Sequence, residues 1–104
     1  MSDRSANVSQ RSVRFARSAT KHRVSKESIR HVIAHCGLCF EEPAPAGDAE
    51  VLESRLVCLG DDAEGRAIEV IAVEGSKEEL IVIHAMSLRK KYRDQYEEAK
   101  RWRL

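Results

Sequence analysis

The fold is decided by Ser54–Ala85, SRLVCLGDDAEGRAIEVIAVEGSKEELIVIHA. Three runs rich in Val, Ile and Leu (Ser54–Gly60, Arg66–Val73 and Glu79–Ala85) are separated by short segments containing glycine, Asp61–Gly65 and Glu74–Ser76. Apolar, largely β-branched runs bounded by such turns read as consecutive antiparallel strands. Side chains alternate along a strand, so Ile68, Val70 and Ala72 share one face while Ala67, Glu69, Ile71 and Val73 share the other. Both faces are apolar toward the end of this run, which predicts a central strand covered on both sides.

Upstream, Ser25 offers an N-cap hydroxyl, Glu27 places a carboxylate in the first turn, and Ile29, Val32, Ile33 and Cys36 recur at helical spacing before Gly37. These signals predict a helix over Lys26–Cys36. Leu38–Phe40 reads as a short strand or an extended connector. Glu41–Asp48 holds two prolines and a glycine and reads as a loop. Downstream, Leu88, Tyr92, Tyr96 and Ala99 form one stripe on a helix from Leu88 to about Arg103, with charged residues at most other positions. The expected architecture is α+β: a small antiparallel sheet of three or four strands, with an N-terminal and a C-terminal helix packed on it. Residues 1–19 are rich in Ser and Arg and poor in aliphatics, so they read as a flexible basic tail before a single domain over 20–104.

The 104 residues are 42% hydrophobic but only 5% aromatic, so one modest aliphatic core is expected. No apolar run approaches the roughly 20 residues that span a bilayer, and the N-terminus lacks the apolar stretch of a secretory signal. A cytoplasmic location and no membrane partner are therefore expected. Cys36, Cys39 and Cys58 read as reduced thiols in such a compartment. The net charge of +1 conceals a segregation: residues 1–36 carry eight basic and two acidic residues, residues 37–80 three and twelve, and residues 81–104 seven and three. Two basic ends that meet in space form a nucleic-acid surface, whereas ends that fold against the acidic middle neutralise it.

Two constellations point to chemistry. His31, His35, Cys36 and Cys39 approximate the spacing of a zinc site. Cys36, however, falls on the core face of its helix, and buried cysteines beside surface histidines explain the same letters. No metal or other cofactor is expected. The second constellation combines His22 and His84 with Lys21, Arg66, Arg89, Lys91 and Arg93. Metal-free cleavage of RNA needs a base for the 2′-hydroxyl, an acid for the leaving oxygen and cations for the charge on phosphorus. Histidines supply the proton transfers and Arg or Lys the electrostatics. The structural alternative is a satisfied strand histidine beside a solvated basic helix.

Lys21-His22-Arg23-Val24 before a helix, a strand ending Leu59-Gly60, Gly65-Arg66 opening the next strand, Ile83-His84-Ala85 closing the last, and a basic helix reaching Tyr96-Glu97 follow one another in order. This order resembles the BrnT family of bacterial toxins, which share the RelE-like ribonuclease fold, over about Lys21–Glu98. Three positions depart from the family pattern: Arg23 stands where the family has glycine, and His84 and Met86 stand where its strand end has serine and arginine. The resemblance implies the toxin component of a type II toxin-antitoxin system, a metal-independent endoribonuclease that inhibits translation. Taken with the residue chemistry, it leaves His84, compensating as a proton-transfer group, and His22 as the acid/base candidates and Lys21, Arg66, Arg89, Lys91 and Arg93 as the phosphate-binding ones. It also implies RNA and a cognate antitoxin of ribbon-helix-helix type as partners. A homodimer is a further partner state to consider, and the alternative function is a non-catalytic protein- or nucleic-acid-binding module of the same fold.

Overall fold

In a computed structural model, the structure describes residues 12–35, 37–43, 54–75 and 78–102. The chain runs β1 (Val13–Phe15), a 3-10 turn (Arg17–Thr20), α1 (Lys26–Ala34), β2 (Leu38–Glu42), β3 (Arg55–Asp61), β4 (Ala67–Glu74), β5 (Leu80–Ser87) and α2 (Lys90–Arg101). The strands form one sheet in the order β1-β5-β4-β3-β2. β2 to β5 pair antiparallel, and β1 adds to β5 in parallel. The α+β class and the two packed helices are as expected, but the sheet is mixed and has five strands.

The additional strands come from segments read otherwise in the sequence. β1 and the 3-10 turn lie within residues 1–19, so the part of the expected tail from Ser12 onward belongs to the domain. Its three residues hold because Val13, Arg14 and Phe15 align with Leu80, Ile81 and Val82 far along the chain. β2 takes in Glu41 and Glu42, which the composition assigned to a loop, because Arg55 opposite Glu42 donates to its carboxylate at 2.6 Å. Residues 1–11 of the tail, 44–48 of the loop, Ser76 and Arg103 lie outside the described residues.

The two helices cover opposite faces of the sheet. On one face, Ile29, Val32 and Ile33 of α1 bury against Cys58, Ile68, Val70, Ala72, Val82 and Ala85. Each fully buried aliphatic side chain contributes about 1.5–3 kcal/mol. Ser25 caps this helix, accepting from the Ser28 N–H at 3.0 Å. Gly60 lets α1 approach closely, since a Cβ there would meet Val32 Cγ1 at 3.2 Å. The helix ends at Ala34 rather than Cys36, with His35 as its C-cap.

On the other face, Leu88, Tyr92 and Tyr96 cover Val57, Leu59 and Ile71. Buried tyrosines need partners for their hydroxyls. Tyr92 donates to the Glu42 carboxylate at 2.9 and 3.0 Å, and Tyr96 donates to Asp61 Oδ1 at 2.8 Å. β4 is therefore central and covered on both sides, with the facial split its alternation predicts. Between β4 and β5 the register passes from Ile71↔His84 to Ala72↔Val82, leaving Ile83 as the extra residue of a bulge.

Candidate active site

The site is built around one buried carboxylate. Glu69 sits in β4, fully buried, on the face covered by α2. A buried charge must be paired and hydrogen-bonded, and Glu69 takes three hydrogen bonds and an ion-pair contact. Oε1 accepts from the Arg89 backbone N–H at 2.8 Å; Oε2 accepts from Arg89 Nε at 2.7 Å and from His84 Nε2 at 2.9 Å, and lies 2.6 Å from Arg89 Nη2. Arg89 is the N-cap residue of α2, whose first turn is basic and whose cap has no side-chain bond of its own. Glu69 thus supplies from the sheet the negative charge that the positive end of a helix dipole favours.

This network sets the ionisation of its members. Burial pushes the Glu69 carboxyl up, but the Arg89 side-chain and backbone bonds and the His84 bond outweigh it and hold it below the ordinary carboxylate value. Burial pulls the His84 imidazole below its ordinary value; the Glu69 bond opposes this only in part, and Arg89 and His22 add to it. An ionised Glu69 accepts, so Nε2 of a neutral His84 carries the proton and Nδ1 carries the lone pair. Nδ1 has no hydrogen-bond partner among the described residues, and the side chain is 22% exposed. His84 lies inside β5, which runs on to Ser87, and not at the strand end the sequence suggested.

His22 reaches the same place from the other end of the chain. β1 and the 3-10 turn are tied to the bulge of β5: Ala16 N–H donates to Val82 O at 2.9 Å, and the Ser18 hydroxyl to Ile83 O at 2.6 Å. The turn then delivers His22 against His84, with ring centroids 5.6 Å apart and planes at 68°. Arg23 follows with φ +63°, a left-handed conformation that costs a residue with a Cβ about 1 kcal/mol. This is the position where the BrnT pattern has glycine.

The remaining candidates are dispersed. Arg66 pairs with Asp62 Oδ2 at 3.0 Å and Glu64 Oε2 at 3.1 Å, yet it lines a cavity of about 220 Å³ together with His22. Asp62 is itself a turn residue, as expected. Its Oδ1 accepts from the N–H groups of Glu64 and Arg66, and the Arg66 backbone bond leads the causes that lower its pKa. Gly65 closes that turn at φ +83°. Lys91 lies over the Tyr92 ring at 4.8 Å and bears on Glu42. Lys21 is exposed beside His22, and Arg93 is exposed on α2. Arg89 is committed to Glu69 by two hydrogen bonds and an ion pair, so it orients the site more than it offers a free cation.

The alternative metal constellation does not assemble among the described residues, where no group of three or more His, Cys, Asp or Glu side chains could hold an ion. His31 and His35 stack at 4.3 Å, with His35 Nδ1 on the His31 carbonyl at 3.1 Å. Cys36 lies outside the described residues. Cys39 is disulfide-bonded, which corrects the reading of three reduced thiols, and its sulfur lies 3.3 Å from Cys58 Sγ. Cys58 is a free buried thiol, pushed up by burial to about 12.

Sequence reading missed Glu69. The signal was a lone acidic residue on a strand whose neighbours face apolar layers on both sides, a position that demands a cation within reach. No protein-family model, curated protein or solved structure matches the chain. The likeness to BrnT toxins therefore rests on the residues quoted above. What fold and site define together is a small α+β domain with a carboxylate-held histidine facing a second, exposed histidine.

Proposed function

We propose that this chain is a metal-independent endoribonuclease, acting as the toxin of a type II toxin-antitoxin system that blocks translation in the cytoplasm. The observation that carries the proposal is the His22–His84 pair at 5.6 Å, with His84 kept neutral by burial and held in one tautomer by Glu69. In the reaction, His84 Nδ1 takes the proton of an RNA 2′-hydroxyl as that oxygen bonds to phosphorus. The P–O5′ bond breaks, and protonated His22 gives its proton to the leaving oxygen. The products are a 2′,3′-cyclic phosphate and a free 5′-hydroxyl, with one proton passed from each side of the phosphate. Lys21, Arg66 and Lys91 supply positive charge around the substrate. A ribbon-helix-helix antitoxin would cover the His22–His84 pair.

The test is expression of the wild-type chain and of His84→Ala, with growth and RNA integrity followed, and RNA cleavage by both purified proteins. Wild type should arrest growth and fragment RNA, and His84→Ala should lose about 10²–10⁴-fold in cleavage rate. Intact RNA and normal growth with wild type would sink the ribonuclease reading. Two observations favour a non-catalytic binding module instead: Met86 occupies the position of the family arginine, and Arg89 is tied to Glu69. That module would bind RNA without cutting it.

A further inference from the structure

His22 also lines a cavity that does not have His84 in its wall and is not needed for either proton transfer. Its polar wall is made by His22, Arg23, Ser25, Ser28, Arg66 and Ser87, and Val24 and Ile68 supply an apolar patch. At about 220 Å³ it is smaller than the roughly 300–1,000 Å³ of sites for drug-sized ligands. It contains two guanidiniums and three hydroxyls and no carboxylate within its lining. Cations and hydroxyls without a facing carboxylate suit a phosphate, and a small apolar patch suits the sugar or base attached to it.

The two arginines differ in availability. Arg66 is 68% exposed and shared with Asp62 and Glu64, of which Glu64 is itself 74% exposed. The Glu64 pair, exposed at both ends, is weak and readily exchanged for another anion, while the hydrogen bond to the buried Asp62 carboxylate keeps the guanidinium anchored beside the cavity. The Arg23 backbone N–H donates to Thr20 O at 3.2 Å, but its guanidinium makes no hydrogen bond or ion pair among the described residues, and the residue occupies a left-handed conformation that glycine would adopt without strain. A strained backbone at a surface turn, bearing an unpaired guanidinium at the rim of a cavity, points to a binding role for that side chain.

We propose that this cavity is a subsite for a second phosphate of single-stranded RNA, one linkage away from the phosphate held between His22 and His84, and that Arg23 is its principal ligand. The subsite rests on the ribonuclease reading for its choice of RNA, but its ligand chemistry stands on the cavity. The substrate is then an oligonucleotide, since a mononucleotide would fill one position and leave the other empty.

The test uses the full chain and a short single-stranded RNA carrying 2′-O-methyl groups, which lacks the nucleophile and so cannot be cleaved. Binding is followed by fluorescence anisotropy for wild type, Arg23→Ala and Arg23→Gly at several salt concentrations. Arg23→Ala should bind about tenfold more weakly, and the slope of log affinity against log salt should fall by about one phosphate contact. Arg23→Gly should lose the same affinity while its melting temperature rises, because glycine relieves the left-handed strain. A loss of affinity accompanied by lower stability in both variants would mark a structural role and overturn the proposal. So would unchanged affinity in either variant, displacement of the RNA by inorganic phosphate as effective as by unlabelled RNA, or no RNA binding by wild type. If wild type binds this RNA through Arg23 yet leaves ordinary RNA intact, the subsite stands and the nuclease reading falls. If wild type cleaves RNA and Arg23 proves neutral, the reverse holds.

Discussion

The two faces of the sheet are held by different chemistry. Under α1 the contacts are hydrocarbon, from Ile29, Val32 and Ile33 to Ile68, Val70 and Val82. Under α2 the apolar contacts of Leu88, Tyr92 and Tyr96 are interrupted by carboxylates: Glu42 under Tyr92, Asp61 under Tyr96 and Glu69 under Arg89. Hydrocarbon packing is non-directional and proportional to area. A hydrogen-bonded charge has few satisfactory geometries. The α1 face therefore supplies stability, while the α2 face fixes where the helix begins and how His84 is turned.

The contrast is tested first on the hydrocarbon side. Ile29 is fully buried in α1, and Ile29→Ala is expected to destabilise the chain by about 4 kcal/mol, within the range for large-to-small core changes. Because no titrating group faces Ile29 in its cluster apart from the Cys58 thiol, held at about 12, the loss should be the same at pH 4 and pH 8 in urea unfolding. A loss that changes with acid would mean that the two faces are not separate.

On the polar side Glu69→Gln keeps the shape but removes the charge. It should cost about 3 kcal/mol at neutral pH, the low end for breaking a buried ion pair, since Arg89 is 38% exposed and can turn to water. Here the cost must depend on pH. The Glu69 pKa is lowered on folding, so its contribution is present above the unfolded carboxyl value and is lost as pH falls through the folded one. His84 has the same sign at higher pH: its folded pKa is lowered, so stability declines as pH falls from its unfolded value toward the folded one. The wild-type and Glu69→Gln stability curves should converge in acid, and parallel curves would break the contrast.

How far this was legible in the sequence follows the same division. Alternation placed Ile68, Val70 and Ala72 apart from Ala67 and Ile71, and the four-residue spacing of Leu88, Tyr92 and Tyr96 found the buried stripe of α2. These are local periodicities, and one side chain's burial implies the next. The pairing of Val13 with Leu80 is not local, and a three-residue parallel strand leaves no period to read, so in the sequence β1 reads as tail. His22 and His84 were named as a pair from their chemistry. The link that makes His84 usable, Glu69 to Arg89, joins positions 20 residues apart and needs the sheet register before it can be seen.

The smallest effect expected lies at the second carboxylate under α2. Tyr92 donates to both oxygens of Glu42, and Arg55 donates to Oε1 at 2.6 Å. Burial, and then the Glu42 bond, push the Tyr92 hydroxyl up to about 12. Tyr92→Phe removes the hydroxyl and leaves the ring packed on Phe40, 6.0 Å away. Glu42 keeps Arg55 and is 24% exposed, so water replaces the lost donor. The cost should be about 1.5 kcal/mol, the lower bound for a hydrogen bond to a charged group. Because folding raises this pKa, the wild-type advantage is complete below the unfolded tyrosine value near 10 and disappears as pH rises through about 12. Urea unfolding of both proteins at neutral and strongly alkaline pH reads this directly. A Tyr92→Phe cost above that of Glu69→Gln would transfer the orienting role from the Glu69 network to Glu42, and with it the account of why α2 begins where it does.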